Sequence, residues 1–97
     1  MEIYKTGESI TINCIVENVS DLSTADCIFA IQNWKGEDNI QKIPIIDGNK
    51  MTVMLDQSET QKADIYDFEF RVKVDGLVDS VYCGKLALQD CVIKEMI

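Results

Sequence analysis

Residues 65–76, IYDFEFRVKVDG, decide the fold. Tyr66, Phe68, Phe70, Val72 and Val74 alternate strictly with Asp67, Glu69, Arg71 and Lys73, and a period of two sends successive side chains to opposite faces of a β-strand. One face is aromatic and branched-apolar and the other is charged, as in one layer of a sheet laid over a core and wet outside. Tyr66, Phe68 and Phe70 are therefore expected core anchors. Arg71 and Lys73 follow Asp67 and Glu69 on the wet face, where they are expected to neutralise those neighbours rather than draw a ligand.

The flanking sequence has the same grain. Residues 8–17, ESITINCIVE, place Ile10, Ile12, Cys14 and Val16 on one side of a first strand. The polar run 18–24, NVSDLST, supplies turn-forming side chains. Residues 25–33, ADCIFAIQN, form a second strand with Cys27, Phe29 and Ile31 on one face, and Phe29 joins the core anchors. WKGEDN at 34–39 is a hairpin connection, after which residues 39–46 return as a third strand. Pro44, the sole proline, has no N–H for a ladder, so that strand is an expected sheet edge.

Asp47-Gly48-Asn49 turns the chain into a strand over 50–56 with Met51, Val53 and Leu55 in phase. The polar loop 57–64, QSETQKAD, has room for one helical turn capped by Ser58 or Thr60. Beyond the Asp75-Gly76 turn, residues 77–89 make one long strand, or two interrupted at Gly84, where a glycine marks a bulge or a close backbone approach. A last strand is expected over 91–96. Short strands every eight to twelve residues, with no helix-period stretch, describe an all-β sandwich of about seven to eight antiparallel strands in two sheets.

A chain of 97 residues makes a single domain over residues 1–97. Seventeen acidic against nine basic residues give a net charge of −8, which repels nucleic-acid phosphates and anionic lipid, so neither nucleic acid nor membrane is an expected partner. No apolar run approaches the roughly 20 residues of a membrane-spanning helix, and MEIYKTGESI carries no apolar signal segment. A soluble protein is expected.

The four cysteines, Cys14, Cys27, Cys83 and Cys91, allow three pairings, among which the sequence does not choose. Cys14 and Cys27 lie in phase with core positions, and free thiols are expected. There is no CxxC and no histidine, so neither a zinc site nor the commonest general base is available. Asp64, Asp67 and Glu69, or Glu37 and Asp38, are clustered oxygens of the kind calcium prefers. Among seventeen carboxylates such clusters arise by chance, and the expectation is no metal, no cofactor and no catalysis. Asn18-Val19-Ser20 fits a glycosylation triplet on a loop. Trp34, beside the Gly36 turn, is read either as an exposed anchor at a partner surface or as a core tryptophan, with the core preferred, while Tyr4 suits either packing or an interface.

Two resemblances follow from particular residues. Gly7-Glu-Ser-Ile-Thr-Ile-Asn-Cys14 and Asp79-Ser-Val-Tyr-Cys83 resemble the two cysteine strands of an immunoglobulin domain, although Val81 stands where that family has a tyrosine two residues before the second cysteine. This implies an extracellular recognition domain. The broader resemblance covers most of the chain. Gly7-Glu-Ser-Ile10, Asp21-Leu-Ser-Thr-Ala25, Gly36, Gly48, Val53-Met-Leu55, Thr60, Ile65-Tyr-Asp-Phe-Glu69, Asp75-Gly76 and Gly84-Lys-Leu-Ala-Leu88 resemble the N-terminal immunoglobulin-like domain of phage baseplate upper proteins and related tail attachment domains. Ala63-Asp64 replaces the small residue and glycine common there, and the closing Val-Thr is missing after Leu88.

That resemblance implies an immunoglobulin-like β-sandwich at the N-terminal end of a longer chain. It implies a non-catalytic module of a phage or prophage tail or baseplate that attaches a fibre or receptor-binding part. Made in the bacterial cytoplasm and carried on the virion, the module would assemble as a homo-oligomer with copies of itself and with tail proteins. Pro44 and the apolar terminal run place the expected intersubunit contact at sheet edges, on Ile40, Ile43 and Ile45 or on Val92 and Ile93.

Overall fold

The computed structural model describes residues 1–37 and 39–92 and contains eight strands: β1 (Glu2–Lys5), β2 (Ile10–Ile15), β3 (Asp26–Asn33), β4 (Asn39–Lys42), β5 (Ile45–Asp47), β6 (Lys50–Leu55), β7 (Asp64–Val74) and β8 (Leu77–Gln89). They form an all-β sandwich. One sheet has five strands in the order β1-β8-β7-β3-β4, and the other has three in the order β2-β6-β5. The sequence that decides the fold is β7, the middle strand of the larger sheet. Tyr66, Phe68, Phe70 and Val72 are buried and the alternate positions face outward. Val74 departs from the expected phase and is exposed, because the β7–β8 hairpin runs past the cover of the smaller sheet.

The core lies between the sheets. Ile10, Ile12, Cys14, Met51, Val53 and Leu55 come from the smaller sheet and meet Cys27, Phe29, Ile31, Leu86, Leu88 and the β7 aromatics. Phe29 and Phe70 are fully buried with ring centroids 4.9 Å apart, and Phe68 lies 6.1 Å from Phe29. Burial of each phenylalanine contributes about 1.5–3 kcal/mol, and the tilted ring pairs add to that. Leu22, from the loop after β2, is also fully buried; its N–H donates to the Gly48 carbonyl at 2.8 Å, and Asp21 accepts from the Ser23 N–H and hydroxyl. The Asp-Leu-Ser-Thr-Ala element is thus a plug closed on itself by the Asp21–Ser23 and Ala25–Leu22 bonds and tied to the β5–β6 turn through the Leu22 N–H.

Several expectations change. The third strand is not continuous over 39–46. It divides into β4 on the larger sheet and β5 on the smaller, with Pro44 buried at the crossing. Proline cannot donate to a ladder, so pairing stops there and the chain changes sheet. Both resulting strands are edges, as the proline suggested. β1 is an additional strand and runs parallel to β8, pairing Glu2 with Leu86 and Lys5 with Gln89, whereas every other pair is antiparallel. The helical turn is a 3₁₀ turn over Gln57–Glu59, and its cap is Asp56 rather than Ser58 or Thr60. Asp56 accepts from the Ser58 N–H while Glu59 accepts from the Asp56 N–H.

Residues 77–89 form one uninterrupted strand. Its irregularity falls at Val81, which stands between Tyr82, opposite Phe70, and Ser80, opposite Arg71. Gly84 is the close backbone approach: a β-carbon there would stand 2.5 Å from Cζ of Phe68, whose ring lies across the glycine. Asp75 and Gly76 both take positive φ, 51° and 80°, as a two-residue type I′ hairpin requires. Of the strand expected over 91–96, Cys91 and Val92 follow β8 outside any strand, and 93–96 lie outside the described residues.

Candidate interaction surface

The edge residues singled out in the sequence have different settings. Ile40 is half-buried on the edge strand β4 and packs against the core, opposite Ile31. Ile43 and Ile45, on either side of Pro44, are 78% and 65% exposed. They occupy the point where the free edges of the two sheets come together. Lys42 spans that junction, donating to the Met54 carbonyl at 2.8 Å and pairing with Glu59 at 2.5 Å. Val92 is fully exposed and is not brought near Ile43 or Ile45 by any strand pairing, and Ile93 lies outside the described residues.

At one end of the sandwich a cleft of about 590 Å³ opens between the 3₁₀ turn and β4, floored by Ile10, Ile31, Leu55 and Leu86. Its polar groups are tied into the fold. The Tyr66 hydroxyl donates to the Lys62 carbonyl at 2.8 Å, and the buried Thr60 hydroxyl donates to the Glu8 carbonyl at 2.8 Å. The buried Asn33 side chain accepts from the Glu37 N–H at 2.8 Å. The first two bonds hold the loop between β6 and β7 to the start of β7 and to the segment leading into β2, and the third closes the turn after β3.

The outer face of the five-stranded sheet is mixed. Lys85 on β8 pairs with Asp67 on β7 at 2.5 Å, and Arg71 pairs with Glu69 at 3.0 Å. Directly opposed cross-strand side chains are closest in a sheet, so Asp67 takes its partner from β8 and not from Lys73, which stands between Asp26 and Val78. Ser80 donates to Glu69 at 2.6 Å, and this bond, with smaller help from Arg71, holds the Glu69 carboxyl below the usual carboxylate range.

Beside the ionic row runs an apolar one that sequence reasoning missed. Ile3 pairs with Ala87, Ala87 pairs with Ile65, and the Trp34 N–H donates to the Ile65 carbonyl at 3.0 Å. Ile3, Ala87 and Ile65 therefore lie side by side on β1, β8 and β7, and Trp34 continues the row from the turn that directly follows β3. Ile3 is 60% exposed, Ile65 42% and Trp34 62%. Trp34 is not in the core. It follows Asn33, which points inward opposite Tyr66, so strand alternation turns the indole to solvent, with the Lys35 ammonium 5.4 Å from the ring centroid. The signal was present in the opening stretch, since Ile65 shares the phase of Asp67 and Glu69.

No disulfide joins any two of the four cysteines. Cys14 and Cys27 are buried, and burial pushes both thiols up from the ordinary value, with the Asp26 charge adding to the effect at Cys27. Cys83, once aligned with the second cysteine of an immunoglobulin domain, instead faces outward against Ser80 and Glu69. Cys91 donates to the Thr6 carbonyl at 3.0 Å. Among the described residues no group of three or more potential metal ligands comes together, and no helix is long and apolar enough to cross a membrane. Compared with known proteins, the chain matches no family model, no curated protein and no solved structure.

Proposed function

We propose that the chain is an immunoglobulin-like sandwich serving as a non-catalytic structural and assembly module of a phage or prophage tail or baseplate. In this reading it attaches a fibre or receptor-binding part, is made in the bacterial cytoplasm, and partners copies of itself and tail proteins on the virion. The observation that carries it is the meeting at Pro44 of two sheet edges that no described strand pairs with, with Ile43 and Ile45 exposed on either side. Unpaired edges with apolar side chains are templates for strand addition by a neighbour.

Two features support the immunoglobulin-like part. With β2, β6 and β5 as strands B, E and D, and β8, β7, β3 and β4 as G, F, C and C′, the strand order is that of an immunoglobulin sandwich. The hydroxyl of Tyr66, near the start of the strand equivalent to F, bonds the backbone four residues upstream, which is the tyrosine-corner arrangement. The tail assignment is supported by the sequence elements that resemble baseplate domains. Leu22, Thr60, Tyr66 and the Phe68–Gly84 contact all fall within those elements and hold the scaffold together.

Fractionation of tail-like particles from the native host tests this. The expected result is peptides of this chain in the particle fraction at a fixed ratio to tail proteins. Peptides confined to the soluble fraction while tail particles are abundant would overturn it.

A further inference from the structure

We propose that the apolar row Ile3-Ala87-Ile65-Trp34 is the contact of a face-to-face dimer with a second copy of this chain, related by a twofold axis parallel to β7 and β8. The row crosses β1, β8 and β7 and ends at the turn directly after β3, at a spacing of about 4.8 Å, giving a stripe roughly 15 Å long. Its outermost member is a tryptophan, the residue most enriched at interface hot spots. Polar rows flank it on both sides, Lys85 with Asp67 on one and Lys5 with Gln89 on the other, and an apolar strip rimmed in this way is typical of a protein contact.

The second copy is singled out by the charges. A twofold contact sets the same surface against itself. With the axis midway between β7 and β8, Ala87 lies over the second copy's Ile65 and Ile3 over its Trp34. The same rotation lays Lys85 over the second copy's Asp67, because these two residues are cross-strand partners, one row from the apolar stripe. The two internal pairs then close into a ring of four alternating charges. An axis along the stripe instead places Lys85 over Gln89 and leaves no charge matched. A partner of one charge sign would satisfy Lys85 or Asp67 but not both. The stripe is small, and each copy carries −8, so the dimer is a weak one with Kd on the order of 10⁻⁵ M.

This contact is separate from the edge at Ile43 and Ile45 and needs nothing of the virion. Sedimentation velocity on the whole chain tests it, with circular dichroism to verify that each variant is folded. Wild type is expected to shift from monomer to dimer as concentration rises through the micromolar range. Ile65→Lys and Trp34→Lys are each expected to weaken association at least tenfold, while Ile45→Lys leaves it unchanged.

The decisive arm mixes two charge variants. Lys85→Asp gives a copy with two carboxylates at the pair, and Asp67→Lys gives one with two ammonium groups. Each alone is expected to be monomeric, and an equimolar mixture is expected to restore the dimer. An internal ion pair cannot produce that rescue. A wild type that stays monomeric into the millimolar range would overturn the proposal, as would a mixture that fails to dimerise. So would a dimer abolished by Ile45→Lys and indifferent to Ile65→Lys, which would leave the edge contact standing in its place.

Discussion

Replacing Gly84 with alanine separates the local backbone preference from the packing around it. Gly84 is not among the positive-φ glycines, so a side chain is sterically allowed by its own backbone. Removing the glycine's freedom from the unfolded chain would by itself stabilise the protein by about 0.4–1 kcal/mol. The structure predicts the opposite sign. The added carbon would stand 2.5, 2.9 and 3.1 Å from Cζ, Cε2 and Cε1 of Phe68, and that ring is held by Phe29 behind and by Tyr82 at 5.5 Å.

Forcing such a ring aside in a packed core costs about 1–3 kcal/mol, with a central value of about 2, which leaves a net loss of about 1.3 kcal/mol after a backbone gain of about 0.7 is subtracted. For a domain of this size that is a fall of roughly 5–10 °C in Tm. Equilibrium unfolding in urea is the assay, and the midpoint should drop with the slope unchanged. Phe68→Leu removes the three clashing ring atoms, so Gly84→Ala made in that background should be neutral or stabilising. If Gly84→Ala alone is as stable as wild type, the ring does not lie across the glycine and the account of β8 fails.

Other outcomes follow from the same structure. Tyr66→Phe deletes the hydrogen bond to the Lys62 carbonyl and should cost about 0.5–1.5 kcal/mol in urea unfolding. Leu22→Ala empties a fully buried site and should cost about 2–5 kcal/mol. Thiol titration of unreduced, unfolded protein should count four groups. In the folded protein the exposed Cys83 should react well before the buried Cys14 and Cys27, and a count of zero after unfolding would contradict the free-thiol structure. Hydrogen bonds from Ser58, Ser23 and Ser80 hold Asp56, Asp21 and Glu69 below their ordinary carboxylate values. A depressed folded value means stability present above the unfolded pKa and lost as pH falls through the folded one, so the urea midpoint should decline from about pH 4.5 downward. Ser80→Ala should make that acid decline shallower.

What the sequence made legible was the part of the fold governed by local periodicity. The β7 alternation, the phases of β2, β3 and β6, and the Asp75-Gly76 turn all depend on neighbours within a few residues. Features set by distant chain were not legible. Nothing in Glu-Ile-Tyr-Lys announces a strand running parallel to β8, because its partner is more than eighty residues away. Pro44 was readable as an edge, yet its role as the crossing between sheets depends on β6 offering a second place to pair. Asp79-Ser-Val-Tyr-Cys83 imitates a cysteine strand locally, but the tyrosine that bonds back to the loop is Tyr66, and Tyr82 instead meets Phe68 and Phe70. Of the apolar stripe only Ile65, in phase with Asp67 and Glu69, was legible, because the other three residues come from separated segments.

The central claim is that this sandwich is an assembly module on a tail. Electron cryomicroscopy of tail-like particles from the native host tests it most directly. The account predicts repeated density for a sandwich of five and three strands, joined to its neighbours through sheet edges or the outer face of the larger sheet. Well-resolved tails in which every density is assigned to other proteins, with this chain found only off the particle, would contradict it.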